Sequence, residues 1–174
     1  MKHLTPEEFE SVLKNVRMFG SLRRNLRFNN STDALSEEDW AEREIVAIFT
    51  RSHNEGVLLI ELESTLHCYP FSLMISVRDK NSGRAKPIIC DFCSTWQSGR
   101  NAARISFYPK PRSSNSFGHL VCGDLTCSAN VRSKTKASAL SRSQLHEDMT
   151  DADRVQRLRR NLTEFIRQYE SYQA

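Results

Sequence analysis

The sequence predicts an α+β fold, and three observations carry that expectation. Apolar residues recur at helical spacing near both ends of the chain, with Phe9, Val12, Leu13 and Val16 at one end and Val155, Leu158, Leu162, Phe165 and Tyr169 at the other. Between them lie β-branched or alternating segments of strand length. Four of the five cysteines fall in two close pairs in the middle of the chain.

The first helix is expected to start at Thr5. This residue can cap it, Pro6 suits the first position, Glu8 completes a capping box and Gly20 is a natural stop. Leu22 to Phe28 reads as a short second helix, and Asn29 to Ser36 as turns. Ile45 to Thr50 and Val57 to Glu63 read as a hairpin around Ser52-His53-Asn54-Glu55-Gly56, and Phe71 to Val77 as a further strand. Lys136 to Met149, rich in Ser, Ala and charge, reads as a linker. Asp151 to Tyr172 reads as the last helix, with Thr150 as cap. The organisation expected is 1–85 as a helix and hairpin region, 86–136 as the cysteine region, and 137–174 as linker and amphipathic helix.

The cysteine pairs are C-D-F-C at Cys90 and Cys93 and C-G-D-L-T-C at Cys122 and Cys127. A two-residue gap lets both sulfurs of a tight turn face one ion, and zinc takes four ligands in a tetrahedron. Arg104 to Tyr108 reads as a strand, Pro109 to Ser116 as a loop and Phe117 to Val121 as a returning strand. This hairpin would carry Cys122 back to Cys93. Cys127 would then fall in the first turn of a short helix from Leu125 to Arg132, with Asp124 as cap. Knuckle, hairpin and helix make a treble-clef zinc finger with one structural zinc on Cys90, Cys93, Cys122 and Cys127. His119 is the alternative fourth ligand, and Cys68 reads as a core residue. Four thiolates close the coordination sphere, so no catalytic site is expected. A zinc deaminase would carry H-x-E and P-C-x-x-C. Here His53-Asn54-Glu55 falls in a hairpin turn, and Pro87 stands three residues before Cys90.

Of 174 residues, 39% are hydrophobic, and no apolar run approaches the ~18 needed to span a bilayer. The opening MKHLTPEEFE has no apolar segment after its positive residues, so a cytoplasmic protein is expected. The net charge of +4 hides an asymmetry. Between Ser98 and Gln144 the only acid is Asp124, against Arg100, Arg104, Lys110, Arg112, Arg132, Lys134, Lys136 and Arg142. Such a field suits an anionic partner: RNA, a ribosome or an acidic protein face.

The run from CDFC through Phe117-Gly118 to VCGDLTCSANVR resembles the treble-clef zinc domain of bacterial proteins that bind elongation factor G, the fusidic-acid-resistance (FusB-like) family. The segment Arg157-Leu158-Arg159-Arg160-Asn161-Leu162 with Phe165 resembles the final helix of many relatives, and Leu4-Thr5 with Glu8 a recurring start. The resemblance covers roughly the last half of the chain. It implies a non-enzymatic zinc protein that binds elongation factor G and helps release it from stalled ribosomes. It directs attention to aromatic and basic residues at the zinc end: Phe92, Lys110, Arg112, Phe117, Arg132, Lys134 and Lys136. The alternative is an RNA- or ribosome-binding zinc finger that uses the basic hairpin and the exit segment.

Overall fold

The computed structural model describes residues 1–28, 35–108 and 116–173. Helix α1 (Pro6–Lys14) has the expected capping box: Thr5 Oγ1 accepts from the Glu8 N–H at 3.2 Å, and the Glu8 carboxylate accepts from the Thr5 N–H at 2.9 Å. The helix stops before Gly20. Arg23 donates to the carbonyls of Leu13 (2.7 Å) and Val16 (2.9 Å), satisfying acceptors that a longer helix would have paired internally. Gly20 instead opens α2 (Gly20–Asn25). A third helix, α3 (Glu37–Ala41), lies within a stretch given no structure by its sequence. Ser36 and Asp39 cap it reciprocally, and Trp40 is fully buried.

One antiparallel sheet of five strands, in the order β1-β2-β3-β6-β7, organises the chain. Strands β1 (Ile45–Phe49) and β2 (Glu55–Leu62) form the expected hairpin. Strand β3 (Thr65–Ile75) starts six residues earlier than its pattern suggests. Glu63 and Ser64, both with positive φ (49° and 62°), turn the chain straight back from β2. Strands β6 (Ala102–Phe107) and β7 (Phe117–Cys122) form the second hairpin, and β6 pairs with β3 from Phe71↔Phe107 to Ile75↔Ala103. The sheet thus runs across the 85/86 boundary. The short pair β4 (Ile88–Ile89) and β5 (Trp96–Gln97) frames the first cysteine turn. Residues 29–34 and 109–115, expected as turns and loop, lie outside the described residues.

The last three helices are α4 (Cys127–Val131), α5 (Lys136–Leu145) and α6 (Asp151–Gln173). Helix α5 corrects the linker expected from Lys136 to Met149. Thr135 caps it, accepting from the Ser138 N–H at 3.0 Å, and its inward residues are the buried Ser138 and Ser141. Ser141 Oγ accepts from the Trp96 N–H at 2.8 Å. A stripe of serines docks through hydrogen bonds and leaves no apolar periodicity to read. Helix α6 is capped by Thr150, as expected. Its Leu158, Leu162, Phe165 and Tyr169 are buried on the inner face of the sheet among Tyr69, Phe71, Phe107 and Phe117. The outer face of β1 and β2 is covered by Phe9, Leu13, Leu22 and Trp40. Val57 to Ile60 are consequently all buried, since this stretch is covered on both faces.

Candidate metal centre

Both cysteine turns hang from strand ends. After β4 the chain folds so that Cys90 N–H donates to the Thr95 carbonyl at 3.0 Å and Ser94 N–H to the Cys90 carbonyl at 2.8 Å. Ser94 takes positive φ (55°) to close this knuckle. Cys122 ends β7, and Cys127 is the first residue of α4. Between them Leu125 also takes positive φ (51°). Asp124 does not cap α4 as expected. Its carboxylate accepts from the N–H (3.2 Å) and hydroxyl (2.9 Å) of Thr126, which braces the turn ahead of the helix.

The four sulfurs converge within 4.8 Å of one another, and all four residues are buried. Neighbouring Sγ atoms are 3.5 Å apart for Cys93 and Cys122, 3.8 Å for Cys90 and Cys127, and 4.0 Å for Cys122 and Cys127. A disulfide needs about 2.05 Å. A tetrahedron of sulfurs at the usual zinc–sulfur length of about 2.3 Å has edges of about 3.8 Å, so these separations fit a zinc ion. Two donors face the sulfurs: Cys93 N–H to Cys90 Sγ at 3.5 Å, and Asn130 Nδ2 to Cys122 Sγ at 3.2 Å. Hydrogen bonds with Cys122, Cys90 and Cys93, and after them burial, push the Cys127 thiol well above its ordinary value, while against its burial the hydrogen bonds from the other three cysteines hold Cys93 well below its own. Four buried thiolates therefore require a divalent cation.

The other sequence candidates are not part of this cluster. His119 Nδ1 faces Asp91 Oδ2 at 3.3 Å, and the His119 ring is tilted against Phe92. Cys68 sits on β3 beside the N-terminal helices, and burial pushes its thiol up to about 12. His53 and Asn54 belong to the turn between β1 and β2 and Glu55 opens β2, and neither His53 nor Glu55 joins the four-cysteine group that a deaminase site would need them to join.

Phe92 is 1% exposed and folded over the site. Its ring meets Phe165 at 5.4 Å between centroids, and its carbonyl accepts from Asn161 Nδ2 at 2.8 Å. Phe117 is buried too, stacked on Tyr172 at 4.8 Å and on Phe107 at 5.6 Å. Neither ring stands free to anchor a partner. Arg132 points inward, making a bidentate pair with the buried Glu44 at 2.7 and 2.9 Å. Lys134 pairs with Glu42 at the surface, and Lys136 is exposed at the start of α5. Lys110 and Arg112 lie outside the described residues.

Glu44 is the important residue that sequence reasoning missed. It is 4% exposed and also meets Arg159 at 3.4 Å, so it joins β1, α4 and α6. Burial would raise its carboxyl, but the hydrogen bonds and charge of Arg132 outweigh that and hold it below the usual carboxylate range. Its partners are 88 and 115 residues away, and no local pattern announces them.

A knuckle, a hairpin and a short helix closing four cysteines around one ion define a structural treble-clef zinc finger. The family model of the FBP C-terminal treble-clef zinc-finger matches residues 23–169, and the chain belongs to this FusB-like family. Comparison with curated proteins and with solved structures gives no significant match.

Proposed function

We propose that this protein is a non-enzymatic factor that binds translation elongation factor G and assists its release from stalled ribosomes. The observation that carries this reading is membership of the FusB-like zinc-finger family across most of the chain. The closed set of four thiolates supports it, because such a site gives zinc a structural role and leaves no position for substrate. With Phe92 and Phe117 buried, docking rests on charge: Lys110, Arg112, Lys134 and Lys136 against an acidic surface of the factor. The reading places the protein in the cytoplasm. No described helix is long and apolar enough to cross a membrane.

The test is the affinity of purified, zinc-loaded protein for purified elongation factor G, and then the same measurement with these four residues changed to Glu. The ion pair of Lys134 with Glu42 is solvent-exposed, and such pairs contribute only about 0.2–1 kcal/mol, so folding and zinc content should survive. Binding should weaken at least tenfold, about 1.4 kcal/mol. Undiminished binding by a folded quadruple variant removes the basic end as the docking face. No binding by the wild type, with tight nuclease-sensitive binding to ribosomal RNA, replaces the proposal with the RNA reading.

A further inference from the structure

Helices cover the outer face of the sheet over β1, β2 and the first part of β3, where Leu66 and Cys68 pack against them. On the end of β3 from Ser72, and on β6 and β7, that face stays open among the described residues. Two cross-strand rows define it. Met74, Arg104 and Leu120 form one, and Ser72, Ser106 and Gly118 the next. Met74 is 59% exposed, and Arg104 and Gly118 are exposed as well. Beyond the second row stands Tyr108, whose hydroxyl is 3.3 Å from Ser72 Oγ. Its ring meets the exposed Phe19 edge-on, with centroids 6.1 Å apart. A groove of about 320 Å³ runs between this ring pair and the strand, lined by Met18, Pro70 and Ser72.

Gly118 sets the relief of the face. A Cβ there would lie 3.1 Å from Arg104 Nε and 2.9 Å from the Ile105 carbonyl oxygen, so only a bare backbone lets the Arg104 side chain lie down across β7. The result is a flat floor of two hydroxyls and a glycine. It is bounded on one side by a guanidinium laid along the sheet and on the other by two aromatic rings.

We propose that this open face binds single-stranded RNA. Unpaired bases are planar and stack on aromatic rings and on guanidinium groups, and their edges can bond to serine hydroxyls. Phosphates need cations. Arg17 and Arg104 border the face, against Glu55 as the acid in the groove. A stable protein partner would want an apolar centre, and here the centre is hydroxyl and glycine. A duplex hides its base faces and would meet only the cations. This inference goes beyond factor binding and does not depend on it.

The test is fluorescence anisotropy of the zinc-loaded full chain with a short fluorescein-labelled oligouridine, and with an RNA duplex of equal length, at low and moderate salt. The single strand should bind more tightly than the duplex and weaken with salt. Arg104→Glu and the pair Phe19→Ala with Tyr108→Ala should each weaken it about tenfold or more, with melting and zinc content preserved. Arg104→Lys should fall between, since the charge remains and the stacking plane is lost. Elongation factor G affinity should be unchanged in Arg104→Glu. Any of four results overturns the proposal: no binding of oligouridine by the wild type, equal binding of the duplex, unchanged binding by a folded Arg104→Glu variant, or factor binding lost with that variant. Sedimentation showing a dimer that Arg104→Glu dissolves would assign the face to a second copy and overturn it equally.

Discussion

Removing the Glu44–Arg132 pair tests whether the zinc finger is clamped to the sheet by charge. Glu44 is 4% exposed, accepts two hydrogen bonds from Arg132 at 2.7 and 2.9 Å, and meets Arg159 at 3.4 Å. Its backbone N–H donates to Ser128 Oγ at 3.0 Å, which ties the same point of β1 to α4. An exposed pair would contribute about 0.2–1 kcal/mol. Stripping one partner from a fully buried pair costs about 3–5 kcal/mol. The Arg132 side chain is 19% exposed, so the expected coupling lies between these limits, at about 2 kcal/mol. The assay is a double-mutant cycle of Glu44→Gln, Arg132→Met and both, by denaturant unfolding of zinc-saturated protein. For a chain of this size, 2 kcal/mol corresponds to about 4–8 °C in Tm. The pH dependence has a definite sign. The carboxyl is held below its unfolded value of about 4.3, so its contribution is fully present above that pH and is lost as pH falls through the folded value. The difference between wild type and Glu44→Gln should be flat from neutrality to about pH 5 and should shrink below about pH 4. Coupling under about 0.5 kcal/mol would refute the clamp and make the pair no more than a surface one.

The purified protein should carry about one zinc per chain, and Cys90→Ser or Cys122→Ser should lose the metal and the fold around it, measured by metal analysis and circular dichroism. Absence of zinc in protein purified without chelator would end that assignment. Leu162→Asp should destabilise the isolated protein, because Leu162 is fully buried against the sheet and burying such a side chain contributes roughly 1.5–3 kcal/mol before the cost of the charge. An unchanged melting curve would mean that α6 does not dock.

The features legible in the sequence are those with short-range causes. The capping box at Thr5 and Glu8, the hairpin around Ser52 to Gly56, the cysteine turns and the stripe from Val155 to Tyr169 all follow from short-range spacing. Helix α5 was not legible, because its inward positions are serines and its docking is a hydrogen bond to a strand 45 residues earlier. The end of α1 was misplaced because Arg23, on the next helix, takes its terminal carbonyls. The fate of the basic exit segment was hidden in the same way. Arg132 reads as an exposed cation until Glu44, 88 residues away, is brought beneath it. A buried Phe92 also differs from an exposed one only through α6, which arrives from the far end of the chain.

The link between metal and fold is concentrated at one amide. Asn130 is 1% exposed on α4. Its Nδ2 donates to Cys122 Sγ at 3.2 Å, and its Oδ1 accepts from Thr135 Oγ1 at 2.5 Å. Thr135 in turn caps α5, so a single side chain joins a zinc thiolate to the start of the next helix. Zinc with four thiolates carries a net charge of about −2, and N–H donors facing the sulfurs spread that charge within a buried site. Asn130→Ala removes the donor and leaves the Thr135 hydroxyl without its acceptor. Partners of metal ligands typically contribute about 10–100-fold in metal affinity, and the loss here should fall in that range. Asn130→Asp keeps an acceptor for Thr135 but places a carboxylate beside a thiolate. It should therefore bind zinc more weakly than Asn130→Ala while retaining more of the α5 cap. Chelator competition reads the first difference, and hydrogen exchange at the amides of Ser138 and Ala139 reads the second. Wild-type zinc affinity in both variants, or weaker binding by Ala than by Asp, would show that the amide is a packing residue and that the zinc site does not communicate with α5 through it.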